Sequence, residues 1–332
     1  MVKETSKPVF DQQASVAKLI FLAAMSVALC SFSPMNLFAP IPLVIAFLLY
    51  GYSMTLIVGI GATVAMFALA LVGKVFPIDV GIAYILTIVS AFLVATIIRK
   101  NVDPIKGLMK AGLVLVLLFT AGLVAIDVNS PKKLKGEINE VVTMLVTQVK
   151  EKNASSNITP EQERAIDEFF GKPETLTNQL YQMIPFFVVG FSYLGLWISL
   201  YVTLRNSMVW RYKVDYSYSL QNLVNFRVPF VFVYPLILSL VLYLGVDYGL
   251  PAGSEIIGKN LLYSLGVFYL FQGFGVYNDF LKYLKIKGFM KTIFMAFTFI
   301  LAYNFLAILG IFDLWFDFRK FFKNKKNEGD TI

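Results

Sequence analysis

Three aspartates near the C-terminal end, Asp279, Asp313 and Asp317, are the carboxylates best suited to acid–base chemistry, and each stands a few residues before a cation. General acid–base work needs a carboxylate beside a second proton-transfer group. A carboxylate with a fixed cationic neighbour is instead held in its ionised form. Pairing with Lys282, Arg319 or Lys320, and orientation of helix ends, is therefore the expected role. With no histidine, the commonest side-chain base and metal ligand is missing, and the single cysteine, Cys30, excludes an intramolecular disulfide. The sequence has no Walker loop, no nucleophile elbow and no metal-ligand cluster. Gly59-Ile60-Gly61 and Gly273-Phe274-Gly275 are too short and too deep in apolar sequence to cradle a phosphate. These features predict a protein that is not an enzyme and uses no cofactor.

The elements that position such residues are membrane helices. Mean hydropathy is +0.70 and only 15% of residues are charged, where a soluble domain carries about a quarter. Nine apolar runs cover 16–33, 37–51, 53–72, 77–98, 108–126, 182–204, 228–246, 260–281 and 292–312. A hydrocarbon core of roughly 30 Å takes about 20 helical residues, with every backbone amide bonded inside its own segment. The expected fold is thus all-α, a polytopic transmembrane helical bundle of about nine spans with a helical extramembrane insert. The second run is short, and Pro34, Pro40 and Pro42 crowd its entry, so eight spans with a broken or re-entrant first hairpin is the alternative. The divisions are 1–127 for the first five helices, 128–181 for the insert, 182–312 for the last four and 313–332 for a basic tail.

Lysine and arginine gather in 99–110, 205–227 and 282–291. Because positive loops stay inside, the N-terminus is expected in the cytoplasm, with the chain in a bacterial inner membrane. The first run, beginning at Val16, reads as an uncleaved helix, and Leu29 before Cys30 departs from a lipoprotein box. One end conflicts with this count. Nine crossings place the tail outside, although Arg319, Lys320, Lys323, Lys325 and Lys326 favour the cytoplasm and anionic lipid. Trp210, Tyr212, Tyr216 and Tyr218, interleaved with Arg211 and Lys213, suit a headgroup-level anchor, and no nucleic-acid role is expected.

Within the insert, Ile138, Val142, Leu145 and Val149 recur at heptad-like spacing and predict an amphipathic helix. Thr159-Pro160-Glu161-Gln162 and Gly171 bracket a second short helix over 160–170. The insert reads either as a connector resting on the membrane surface or as a lid over a cavity. Polar residues at bilayer depth are soft ones. Thr87 and Ser90 in the fourth run and Ser192, Tyr193 and Trp197 in the sixth are either helix–helix hydrogen-bonding groups or the polar lining of a ligand cavity. Ala24 and Ala28 form a small-xxx-small pair on the first helix, suited to close packing or partner contact. Gly266, Gly273 and Gly275 thin the eighth run.

Two strings carry a family resemblance: Tyr269-Leu270-Phe271-Gln272-Gly273-Phe274-Gly275-Val276, and Leu309 to Lys320 with Asp313, Trp315, Asp317 and Arg319. With Phe226-Arg227-Val228-Pro229 they resemble the YybS-like family of bacterial membrane proteins, which implies an architecture and no assigned chemistry. The first six helices, to Arg205, look like the substrate-binding S component of an energy-coupling-factor transporter. That resemblance implies a vitamin-like ligand under outward loops. It also implies that Ala24 and Ala28 contact a membrane coupling subunit served by ATPases. The extra three helices and the long insert depart from that pattern. A small-molecule binding or transport protein is the expected function, and a scaffold for other envelope proteins is the alternative.

Overall fold

A computed structural model describes residues 15–32, 35–73, 78–130, 132–154 and 172–322. Among these, all regular structure is helical. The helices are α1 Val16–Ser31, α2 Pro40–Tyr50, α3 Tyr52–Gly73, α4 Ile78–Arg99, α5 Pro104–Asn129, α6 Lys133–Ala154 and α7 Pro173–Gln182. They continue with α8 Ile184–Arg205, α9 Leu220–Val224, α10 Val233–Leu244, α11 Ala252–Tyr283, α12 Gly288–Leu301 and α13 Tyr303–Phe316. The expected helix over 160–170 and the lysines at 323–326 lie outside the described residues. The chain forms two compact units, Met1–Leu113 with Phe191–Phe226, and Val114–Gly190 with Arg227–Ile332.

The first unit is organised around α2. Pro40 sits in its first turn, where a missing N–H costs nothing, and the helix ends at Gly51, whose φ of +87° lets α3 begin at the next residue. Leu43, Val44, Ala46, Phe47 and Leu48 are all buried, with α1, α3 and α4 packed around them. The short second run is therefore a core element, preceded by a 3-10 turn at Met35–Phe38. Ser26 donates to the Ala39 carbonyl at 2.7 Å and ties α1 to the start of α2. Arg99 donates to the Leu48 carbonyl at 3.3 Å and lies over the Tyr52 ring, so a cation meets the carbonyl end of α2.

The loop of 205–227 differs from its expected role. Trp210 is fully buried and donates Nε1–H to the Thr203 carbonyl at 3.0 Å. Tyr216 is buried too and donates to the Val102 carbonyl at 3.0 Å, while Arg211 holds the carbonyls of Tyr216 and Tyr218 at 2.9 Å. These rings fill protein space instead of anchoring in headgroups; Tyr212 alone of the set remains strongly exposed. Burial, with Asp103 and Tyr218 adding, pushes the Tyr216 phenol well above its ordinary pKa, so it remains a donor at physiological pH. Tyr216→Phe should lower stability by about 1 kcal/mol, read as a small drop in thermal midpoint; an unchanged midpoint would show that the bond to Val102 contributes nothing.

In the second unit α6 packs on α7 through Val142 and Val146, and Thr177 donates to Asn139 Oδ1 at 3.1 Å. The buried face steps from Val142 to Val146, whereas Leu145 of the expected heptad points outward, because a single straight helix follows a 3.6-residue period.

Five stretches, Tyr52–Val72, Val80–Arg99, Pro104–Asn129, Ile184–Arg205 and Phe230–Tyr248, are long and apolar enough to cross a membrane. α1 and Met35–Tyr50 are shorter apolar helices. α11 has 32 residues, ample for a crossing, but its apolar character is diluted by residues such as Gln272 and Asp279.

The last run departs from a straight span. α12 and α13 are bent by 97° at Ala302. Thr298 of α12 donates to Tyr277 at 3.0 Å, and Phe299 meets Phe274 edge-on, so α12 climbs beside α11 from its C-terminal end. α13 then crosses α11 near Gly273, and Phe322 packs on Phe280 and Tyr283. Both outer ends of the α12–α13 pair thus lie beside the same end of α11. A pair bent this sharply is a broken span or a re-entrant loop, and the chain after α13 turns back toward the end of α11 at Phe322.

Candidate functional site

The residues of the two C-terminal motifs converge on one buried polar centre. It begins with a close crossing. A Cβ on Gly273 would lie 1.7 Å from the Leu306 carbonyl oxygen, and one on Gly310 would lie 1.9 Å from that of Tyr269. Only hydrogen fits at both positions, so the backbones of α11 and α13 touch. That contact brings Gln272, one residue before Gly273, against Asp313, one turn after Gly310.

Gln272 uses both ends of its amide. Its Nε2 donates to Asp313 Oδ2 at 2.9 Å, and its Oε1 accepts the Val228 backbone N–H at 2.8 Å, tying the entry of α10 to α11 and α13. Arg319 lies under the crossing, 2% exposed, donating Nη2–H to the Gln272 carbonyl at 2.7 Å with Nε 3.7 Å from Asp313 Oδ2. Burial pulls the guanidinium pKa below its ordinary value while Asp313 and Asp279 push it up, and as an arginine it is the fixed positive charge of the site. Two outer pairs flank the centre, Arg227–Asp317 and Lys282–Asp279, each at 3.0 Å. Asp317 ends α13 at φ +43°, a left-handed conformation that aspartate tolerates better than most residues and that turns the chain back toward α11. Trp315 points away, half exposed.

Asp279 and Asp313 pair with Lys282 and Arg319 as their spacing implied, whereas Asp317 takes the distant Arg227. Sequence reading found all three strings, Phe226 to Pro229 among them, but not their convergence on one centre. It placed only soft polar residues at bilayer depth; the Asp313–Arg319 pair, just past the last apolar run, is almost wholly buried in protein. Among the described residues no three His, Cys, Asp or Glu side chains group closely enough to hold a metal ion.

The residues expected to line a cavity are in the first unit. Thr87 and Ser90 donate to carbonyls of their own helix, Ala83 at 3.0 Å and Leu86 at 2.8 Å, and Thr87 also lies 3.8 Å from Cys30 Sγ. Tyr193 donates to the Met109 carbonyl at 3.2 Å, with its ring filling the space over Gly112. Trp197 is buried and stacks on Tyr201. Ser192 is buried with no hydrogen-bond partner for its hydroxyl. Its companions escaped sequence reading: Ser199 and Thr203 on α8 and Thr55 on α3 are also buried and unpartnered. The signal was present as spacing, because Ser192, Leu196, Ser199 and Thr203 recur every three or four residues and share one helix face. Ala24 and Ala28 are exposed on α1. A hollow of about 540 Å³ opens along the insert helix α6 beside Asn139, Thr143, Met144 and Thr147, with all its lining on that one helix.

No curated protein and no solved structure is significantly similar to this chain. A family model described as predicted membrane protein (DUF2232) matches residues 15–314, and the chain belongs to that family of membrane proteins.

Proposed function

We propose that the first unit binds a small polar molecule for transport, in the manner of an energy-coupling-factor S component, and that the protein performs no catalysis of its own. One observation carries this reading. Thr55, Ser192, Ser199 and Thr203 each bury a hydroxyl with no partner. A buried hydroxyl without a hydrogen bond costs roughly 1–3 kcal/mol, and several in one bundle call for a polar occupant such as water or ligand. Of the helices preceding residue 206, six are apolar, α1 to α5 and α8, and the second of them is short, an order that resembles the S component. Exposed Ala24 and Ala28 leave α1 accessible to a coupling subunit. The narrower likeness to YybS-like proteins adds no chemistry.

The chain sits in a bacterial inner membrane with its N-terminus in the cytoplasm. Support comes from the cationic segments 99–110, 205–227 and 282–291, whose lysines and arginines favour the cytoplasmic side.

Purified protein screened against polar metabolites by thermal shift and native mass spectrometry should show a ligand that raises the melting midpoint. At a hundredfold excess over Kd the gain is about 2.7 kcal/mol. Ser199→Ala with Thr203→Val should abolish the shift while leaving the unliganded midpoint unchanged or higher. A screen without a single stabilising ligand, together with envelope-assembly proteins in place of coupling ATPases in pull-downs from native membranes, would replace transport with the scaffold reading.

A further inference from the structure

We propose that the Gln272–Asp313–Arg319 centre is a lock that holds the α12–α13 hairpin shut against α11, and that the hairpin is the movable element of the second unit. Beyond the backbone crossing at Gly273 and Gly310, buried side chains give it little hold. Of the 14 residues of α12 only Met295 is buried, and of the 14 of α13 only Leu306, Gly310 and Asp313 are. α11 buries residues along most of the stretch from Leu265 to Leu281. An element with few buried apolar contacts opens at low free energy unless something else fastens it.

The fastening is polar: Gln272 of α11 holds both Asp313 and Arg319, and Arg227 at the entry of α10 holds Asp317, whereas Lys282–Asp279 is a pair within α11 beside them. Arg319–Asp313 is the inner pair, almost free of solvent, and Arg227–Asp317 and Lys282–Asp279 lie outside it. The carboxylates and cations are equal in number, so the closed state carries no net charge. Gln272 joins the inner pair to the entry of α10 through Val228, which places three chain segments under the control of one side chain. The lock is incomplete by design of its own geometry: Asp313 Oδ1 and Asp279 Oδ2 are buried without a hydrogen bond. A carboxylate held by one oxygen is released at lower cost than one held by two. Breaking an isolated buried pair leaves an uncompensated charge, so the closed and open states are separated sharply instead of grading into one another.

Two measurements on the full chain in its own membranes and in nanodiscs test this. In a Cys30→Ser background, single cysteines at exposed Lys287 and Lys320 should react with a membrane-impermeant maleimide from the same face, opposite to a cysteine at Tyr248. Labelling of the two from opposite faces would overturn the hairpin and the lock together. In nanodiscs, Arg319→Ala should speed amide hydrogen exchange over 303–316 by at least about tenfold, with the protection of 262–275 retained. Arg319→Lys, which keeps the charge but not the planar fork, should give a smaller increase and covers the case in which the alanine variant fails to accumulate. Exchange over 303–316 at the parent rate in whichever variant accumulates would show that the hairpin is held by something other than this centre. Loss of protection throughout α11 in Arg319→Lys would show a general structural role and overturn the lock equally.

Discussion

Gly310→Ala should be among the most damaging single-methyl substitutions in this protein. The added Cβ would sit 1.9 Å from the Tyr269 carbonyl oxygen, and the same change at Gly273 would sit 1.7 Å from that of Leu306. Both obstacles are backbone, so no rotamer change relieves them, and the helices must part by more than an ångström. Parting them pulls Asp313 from Gln272 and uncovers Arg319, so the steric cost is compounded by loss of the polar centre. Overpacking alone costs about 1–3 kcal/mol, and the broken buried charge network adds about 3 kcal/mol or more. The detergent-solubilised variant should lose its monodisperse peak or melt more than about 10 °C below the parent, since about 1 kcal/mol corresponds to a few degrees. Gly266→Ala is the matched control. It lies on the same helix with nothing within 4 Å of its would-be Cβ, and a helical Gly→Ala change is expected to be neutral or stabilising by up to about 1 kcal/mol. Equal melting of the Gly310→Ala and Gly266→Ala variants would refute the crossing.

The helices were legible because lipid imposes a coarse rule: long apolar stretches must bond their own backbones, and most of the nine runs in the sequence became helices close to the expected residues. What composition could not show was whether a run continues straight. The break at Ala302 has neither proline nor glycine, and Phe299, Ile300, Leu301, Tyr303 and Phe305 read as uninterrupted apolar helix. The bend exists because Gly310 must reach Gly273 while α12 stays beside Phe274 and Tyr277, which is a tertiary demand. The conflict of the basic tail with nine crossings marks in the sequence that one run does not cross, and the short second run, the expected place for it, is a core helix of the first unit too short to count among the candidate spans.

The polar residues divide in the same way. Lys282 and Arg319 were found as partners of Asp279 and Asp313 because they are near in sequence, whereas Arg227 meets Asp317 across 90 residues. Trp210 and Tyr216 were misread for a related reason. Amphipathic rings beside cations have the composition of a headgroup belt whether they face lipid or carbonyls of their own chain. Only the geometry, with Nε1–H aimed at Thr203 and the phenol at Val102, separates the two. Ser199 and Thr203 went unnoticed because serine and threonine in membrane helices usually bond their own helix, as Thr87 and Ser90 do; an unpartnered hydroxyl is a property of the packed structure.

Gln272→Leu should destabilise the second unit without changing its volume much. Leucine fills the space but supplies no donor for Asp313 Oδ2 and no acceptor for the Val228 N–H, both buried. A buried group left unsatisfied costs about 1–3 kcal/mol, at the upper end when it is charged, so the pair together should cost about 3–5 kcal/mol. Gln272→Glu restores the acceptor for Val228 but sets a second carboxylate against Asp313, and it should be no better. The informative comparison is a double-mutant cycle with Asp313→Asn. Removing the charge on Asp313 weakens its need for a donor, so the loss from Gln272→Leu should shrink by at least about 1 kcal/mol in that background. Thermal midpoints of the parent, both single variants and the double variant measure the coupling. Strict additivity would mean that the 2.9 Å contact between Gln272 and Asp313 carries no energy, and that the packing of Gly273 on Gly310 alone holds α13 in place.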